Sequence, residues 1–174
     1  MREIAGVVVA AGSGVRFGGS VPKQFVEIAG RTVVERAVRC LSVSPRIDGV
    51  VVALPPGEIG GERALGVARI PGVRGVVAGG ATRAESVRRA VEASSPARHV
   101  LVHDAARPFA PRRVVEEVVD ATLRHGAAVP AVDVPDTVKE SDEREFVART
   151  LDRRRVVALG VGVDNSIHII IQYR

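Results

Sequence analysis

Near its N-terminus the chain reads Val7-Val8-Val9-Ala10-Ala11-Gly12-Ser13-Gly14-Val15-Arg16-Phe17-Gly18, followed by Val21-Pro22-Lys23-Gln24. The apolar, β-branched start predicts a buried parallel strand over Ile4–Ala10. The glycines behind it let the backbone turn sharply and approach a ligand closely. Their amides can face an anion, and Arg16 and Lys23 stand beside them. The expectation is a turn that holds the triphosphate of a nucleotide. Two familiar glycine motifs fail here. A dinucleotide fingerprint needs glycine three places after Gly14, where Phe17 stands, and an acidic residue at a strand end some 20 positions on. Glu35 is near that distance but falls inside a helical pattern. A P-loop needs Gly-Lys-Ser/Thr, which does not follow. The bland alternative is a strand cap with two solvated cations.

Outward from this turn, strands alternate with helices. Val33–Leu41 carries Val34, Ala37, Val38 and Leu41 on one helical face. Gly49–Leu54 reads as a second strand, Glu62–Arg69 as a short helix and Val73–Val77 as a third strand. Ala84–Ala93 reads as a helix and His99–His103 as a fourth strand. Pro111–Arg124 predicts a helix with Val114, Val115, Val118, Val119 and Leu123 as its buried stripe. Ala127–Val134 predicts a strand, with Pro130 pointing to an edge or a bulge. The alternation implies an α/β fold, a mainly parallel sheet with helices on both faces. In such sheets ligands bind beyond the carboxyl ends of the strands.

Two more strand ends carry polar motifs. Gly79-Gly80-Ala81-Thr82-Arg83, with Ser86, makes a second candidate ligand loop near a helix start. It also reads as a helix entry, with Thr82 and Glu85 as a capping box. His103-Asp104-Ala105-Ala106-Arg107 makes the third. Asp104 there suits Mg²⁺ or a hydroxyl, or the capping of its own turn, and Arg107 offers a fork to phosphate. His103 reads as structural. His99, His125 and His168 have no partner at metal-ligand spacing.

The 174 residues suffice for one domain with a core. The chain carries 25 Lys+Arg against 20 Asp+Glu, a formal net charge of +5. Nucleic acid is a poor fit, because aromatics are 3 % and the charges are spread out. No apolar stretch is long enough to span a bilayer. With no signal-peptide pattern and one cysteine, Cys40, the expected compartment is the cytoplasm. Of the cations, only Lys23 and Lys139 are lysine. A compact ammonium acts as a point charge on phosphate where a planar fork does not fit.

After Pro135 the pattern changes. Asp136-Thr137-Val138-Lys139 and Arg149-Thr150-Leu151-Asp152 flank a charged tip, which predicts a β-arm over about 135–157. A two-stranded arm is marginal alone in water, so it is expected to pack on a partner subunit or to lie as a surface hairpin. The last stretch, 160–174, ends in an apolar segment, Ser166–Tyr173, that reads as one short uncovered strand.

Taken together, Ala10-Ala11-Gly12-Ser13-Gly14 with Arg16 and Pro22-Lys23-Gln24, Gly79-Gly80 with Arg83 and Ser86, Val102–Phe109, and Asp136-Thr137 with Lys139 resemble the 2-C-methyl-D-erythritol 4-phosphate cytidylyltransferase family. The resemblance runs in order from about Val7 to Leu159. Related ribitol-phosphate cytidylyltransferases share the plan. It implies a Rossmann-like nucleotidyltransferase domain over 1–159. It also implies transfer of CMP from CTP to 2-C-methyl-D-erythritol 4-phosphate, with release of diphosphate, in non-mevalonate isoprenoid biosynthesis, or alternatively to a related polyol phosphate such as ribitol 5-phosphate, with Mg²⁺ or another divalent cation, in a cytoplasmic homodimer joined through the arm. By position it gives Arg16 and Lys23 the transition-state charge and Ala10, Ala11, Gly12 and Gly14 the CTP phosphates. Gly80, Arg83 and Ser86 would bind the rest of the nucleotide, with cytosine at Gly80 and Ser86. Asp104 and Ala105 would bind ribose or metal. Arg107, Thr137 and Arg153 would meet the acceptor, the last two in the partner's site. Beyond Leu159 the family continues with Thr-Pro-Gln and a further substrate-contacting lysine. Here Gly160-Val161-Gly162-Val163 follows, and the alternative to an active enzyme is a truncated or frameshifted reading, a catalytically weak CTP-binding or dimerising remnant.

Overall fold

The structure is a computed structural model and describes residues 2–12, 21–159 and 168–172. Gly14 and Arg16 lie outside the described residues. The chain runs β1 (Arg2–Val9), a 3-10 turn at Lys23–Phe25, β2 (Glu27–Ile28), β3 (Arg31–Thr32), α1 (Val33–Ser42) and β4 (Val50–Leu54). Then come α2 (Glu62–Ala68), β5 (Val73–Ala78), α3 (Arg83–Ala93), β6 (Ala97–Asp104) and α4 (Arg112–His125). Last are β7 (Ala131–Asp133), β8 (Lys139–Ser141), β9 (Val147–Thr150), a 3-10 turn at Arg153–Arg155, β10 (Val157–Leu159) and β11 (His168–Gln172).

The central sheet has the order β11-β6-β1-β4-β5. Strands β6, β1, β4 and β5 are parallel, and β11 lies antiparallel against β6, with His168 opposite His103. The chain steps outward from β1 to β4 to β5. It then crosses back through α3 to place β6 on the other side of β1. The strand order therefore reverses between β1 and β6, the kind of switch point where open α/β sheets hold ligands.

Apolar residues fill both faces, as parallel strands require. All five residues of β4 are buried. Val8, Val50, Val52, Leu54 and Leu101 pack with α1, α2 and α4. Their neighbours Val7, Val51, Ala53, Val100 and Val102 pack with α3 on the opposite face. Gly6 lets α1 come close: a Cβ there would sit 3.0 Å from Leu41 Cδ1. Thr32 caps α1 by accepting from the Glu35 amide at 3.2 Å, so Glu35 stands in a helical first turn and not at a strand end.

Two local expectations are corrected. Leu123 is exposed, and Thr122 takes its place in the buried stripe of α4. The spacing Val115, Val118, Val119, Thr122 follows the helical face more closely than the apolar letters do. The strand expected over Ala127–Val134 shrinks to β7, which starts after Pro130, where an amide again becomes available for pairing.

Beyond β7 the chain leaves the body. β7 pairs antiparallel with β10 to form a stem, and β8 pairs with β9 to form a tip. Arg153 Nη1 donates to the Pro135 carbonyl at 2.7 Å and ties the stem to the turn below the tip. Every residue of β8 and β9 is exposed.

Candidate active site

Three turns meet at the carboxyl end of the sheet, and the ladder hydrogen bonds continue into each of them. The Ala10 amide donates to Ala53 O at 2.8 Å, Gly79 to Leu54 O at 2.8 Å and Ala105 to Val9 O at 3.0 Å. The turns therefore inherit the register of the strands. Between them lies a cleft of about 690 Å³. Ala10, Ala11 and Gly12 line it after β1, and Gly80, Ala81, Thr82, Arg83 and Ser86 after β5. Asp104, Ala105, Ala106 and Arg107 line it after β6, and Lys23 and Gln24 close the remaining side.

Lys23 owes its place to its neighbours. The Phe25 amide bonds to Pro22 O at 2.8 Å, closing a tight turn. Phe25 is buried with the Arg63 guanidinium 5.0 Å from its ring centroid. Gln24 is buried as well, with Nε2 3.4 Å from the Gly12 carbonyl. Both neighbours are anchored inside, so the lysine is held at the cleft wall facing the first turn.

The second turn is built by Ser86 and Glu85. The Ser86 hydroxyl accepts from the Gly80 amide at 3.0 Å and donates to the Thr82 carbonyl at 2.9 Å. Thr82 caps α3 through the Glu85 amide at 3.1 Å. Glu85 Oε2 accepts from the Ala81 amide at 2.9 Å, one residue before the partner a capping box would use. That amide, together with Arg89, holds the Glu85 carboxyl below the ordinary carboxylate range. The glycines answer a packing demand: a Cβ on Gly79 would sit 2.2 Å from Ala11 Cβ, so the first two turns touch.

The third turn is locked from beneath. His103 is fully buried, and its Nε2 lies 2.9 Å from the Arg107 carbonyl oxygen. The Arg107 amide donates to Asp104 O at 3.0 Å. Asp104 reaches across the cleft, with Oδ1 accepting from Arg83 Nη2 at 2.8 Å and Nε at 3.1 Å. Its Oδ2 stands 4.0 Å from Arg107 Nε. Arg83 and Asp104 thus bridge the second and third turns.

Ala10, Ala11, Gly12, Lys23, Gly80, Arg83, Ser86, Asp104, Ala105 and Arg107 therefore share one cleft. Thr137 and Arg153 do not: both are exposed and sit in the arm region. The structural role read for His103 holds, as a buried brace under Arg107, whereas the sequence alone assigned no role to Gln24 or Arg89. No helix among the described residues is long and apolar enough to cross a membrane.

A family model described as 2-C-methyl-D-erythritol 4-phosphate cytidylyltransferase matches residues 4–160. A protein of that name from Saccharopolyspora erythraea is 44 % identical over 159 residues, covering 88 % of this chain and 70 % of the relative. A bifunctional enzyme IspD/IspF from Anaeromyxobacter sp. strain Fw109-5 is 43 % identical over 159 residues, and the chain spans only 40 % of its length. Among solved structures, 2-C-methyl-D-erythritol 4-phosphate cytidylyltransferase from Thermus thermophilus is 36 % identical with a TM-score of 0.66, covering 90 % of this chain and 67 % of that one. A 4-diphosphocytidyl-2C-methyl-D-erythritol synthase from Anaerococcus prevotii shares the fold at a TM-score of 0.80 over 98 % of this chain and 71 % of its own.

Proposed function

Because the chain belongs to the 2-C-methyl-D-erythritol 4-phosphate cytidylyltransferase family, we propose that it transfers CMP from CTP to 2-C-methyl-D-erythritol 4-phosphate in non-mevalonate isoprenoid biosynthesis. One observation carries the reading: three strand-end turns and Lys23 converge on a single cleft at the switch point of the sheet.

The chemistry follows from charge. An acceptor phosphate oxygen attacks the α-phosphorus of CTP, the bond to the bridging oxygen breaks, and diphosphate leaves. The attacking oxygen is already anionic, so no general base is needed. The obstacle is bringing one anion against another in line, which fixed cations and positioning relieve. Lys23 and Arg16 supply positive charge where the α-phosphate becomes crowded. The backbone at Ala10, Ala11, Gly12 and Gly14 takes the triphosphate. Gly80 presents its backbone to cytosine, and Ser86, engaged with the Gly80 amide, holds that backbone in place. Arg83 and Ala105 complete the nucleotide's walls, and Arg107 faces the acceptor phosphate.

A divalent cation would rest mainly on the triphosphate, because among the described residues the cleft offers it one carboxylate, whose Oδ1 already accepts from Arg83. Mg²⁺ keeps waters and phosphate oxygens and takes one or two carboxylates, and Asp104 is the carboxylate lining the cleft. It would hold Mg²⁺ there, where the ion supplies charge neutralisation on the triphosphate.

Thr137 and Arg153 lie away from this cleft and serve a second subunit's site. Exposed Phe146, Val147 and Val157 on the arm support such a dimer, since uncovered apolar side chains favour a partner. The cytoplasm is the matching compartment. Calorimetric titration tests the reading: CTP binds with Mg²⁺ while ATP and GTP do not, and diphosphate release follows methylerythritol phosphate rather than ribitol 5-phosphate. Equal binding of all nucleotides, or release only with ribitol 5-phosphate, contradicts it.

A further inference from the structure

We propose that Glu85 and Arg89 form a clamp that fixes the turn 79–82, which makes Arg89 a positioning residue for nucleotide binding. The role in nucleotide binding rests on the cleft's being the CTP site.

Arg89 stands one helical turn after Glu85 on α3. Its Nη1 donates to the Gly79 carbonyl at 2.8 Å, and its Nη2 pairs with Glu85 Oε1. The other Glu85 oxygen takes the Ala81 amide at 2.9 Å. One guanidinium and one carboxylate thus grip the turn at both ends, at Gly79 through its carbonyl and at Ala81 through its amide. Between these points the Glu85 side chain lies against Gly80. A Cβ on Gly80 would come within 2.3 Å of both Glu85 Cγ and Cδ. The glycine is there because the clamp occupies the space a side chain would need.

Neither Glu85 nor Arg89 lines the cleft, whereas Gly80, Ala81 and Thr82 do. The pair therefore acts through the turn and touches no reacting atom. The two glycines give this segment wide conformational freedom when unheld. A turn ordered before CTP arrives presents its backbone groups without the entropy loss of freezing them on binding. The predicted signature is a change in CTP affinity with little change in the chemical step. An arginine suits the task because two separate nitrogens of its rigid fork reach a carbonyl and a carboxylate, where a lysine would have to serve both from one ammonium.

The test uses the full chain with Arg89→Met and Arg89→Lys. Steady-state kinetics gives KM for each substrate and kcat, and amide hydrogen exchange without nucleotide reports on residues 79–82. Arg89→Met should raise KM for CTP about fivefold, the scale of one net hydrogen bond. Its kcat and its KM for methylerythritol phosphate should stay within about twofold under the same reasoning. Exchange at Gly80 and Ala81 should quicken while exchange in α4 stays as it was, and Arg89→Lys should fall between Met and wild type. Unchanged exchange at the turn overturns the clamp, as does a parallel change in kcat and both KM values. If the wild type binds no CTP but Arg89→Met still quickens the turn, the clamp stands and the cytidylyltransferase reading falls. If the wild type binds CTP and Arg89→Met alters neither exchange nor KM, the clamp falls and the reading stands.

Discussion

The cleft and the arm are made by opposite means. Each turn of the cleft continues a strand of the central sheet, and its walls rest on residues such as His103, Gln24 and Ser86, all at most 2 % exposed. The arm rests on nothing of the kind. Its tip is held by local bonds: Lys139 Nζ to Thr150 Oγ1 at 2.7 Å, Arg149 to Glu140 at 2.5 Å, and Asp142 accepting from the Arg144 and Phe146 amides. Phe146 remains 69 % exposed. One region is braced by buried side chains of its own chain, and the other leaves apolar side chains exposed. The two lysines divide along the same line. Lys23 stands in a cleft wall, and Lys139 bonds across a surface hairpin.

That contrast can be broken most forcefully at the lysines. Replacing Lys23 by Ala should lower turnover by about 10²–10³, the scale for losing one charge stabiliser at a reacting phosphate. The fold should survive, because its neighbours Gln24 and Phe25 carry the burial. Replacing Lys139 by Ala should leave turnover within about twofold, since an exposed hydrogen bond is worth little. A steady-state assay and a melting curve decide between these outcomes.

The arm's claim to a partner is tested by mixing. Arg153→Ala should lose about tenfold in activity, as expected for one charged contact to substrate. Randomly reassociated with Lys23→Ala, it should recover about a quarter of wild-type sites, because a two-fold dimer then pairs one intact cleft with one intact arm. No recovery means the arm serves its own chain or none.

Within the cleft, Gly80→Ala should raise KM for CTP several-fold, roughly 3–10, by pushing Glu85 off the turn. A smaller effect belongs to the surface. Arg46 holds the Asp120 carboxyl below the ordinary aspartate value, chiefly by a hydrogen bond. The stabilisation is present above the unfolded aspartate pKa and is lost as pH falls through the lowered folded value. Asp120→Asn should therefore shift the melting temperature at neutral pH by only about a degree, as exposed pairs do.

The strand and helix order was legible because parallel strands are apolar on both faces and end in glycine, proline or Asp turns. That is why Val7–Val9, Val50–Leu54 and Val100–Val102 read correctly. Burial on α4 read less well, because Thr122 is polar by letter and buried by position, whereas Leu123 is the reverse. The site residues on strand ends could be found from their turns. The props could not. His103 binding the Arg107 carbonyl, and Arg89 gripping Gly79, are contacts to backbone atoms, which every residue has and no motif marks. The bridge from Arg83 to Asp104 joins residues 21 apart and needed the sheet order to bring them together.

The most direct measurement follows the phosphorus atoms. A ³¹P NMR time course of the full chain with CTP, Mg²⁺ and methylerythritol phosphate reads every bond the mechanism makes or breaks. The CTP resonances should be lost, with diphosphate and a new mixed diphosphate ester appearing in equal amounts, and neither should form without the acceptor. Unchanged CTP, or diphosphate released in the absence of methylerythritol phosphate, would contradict it.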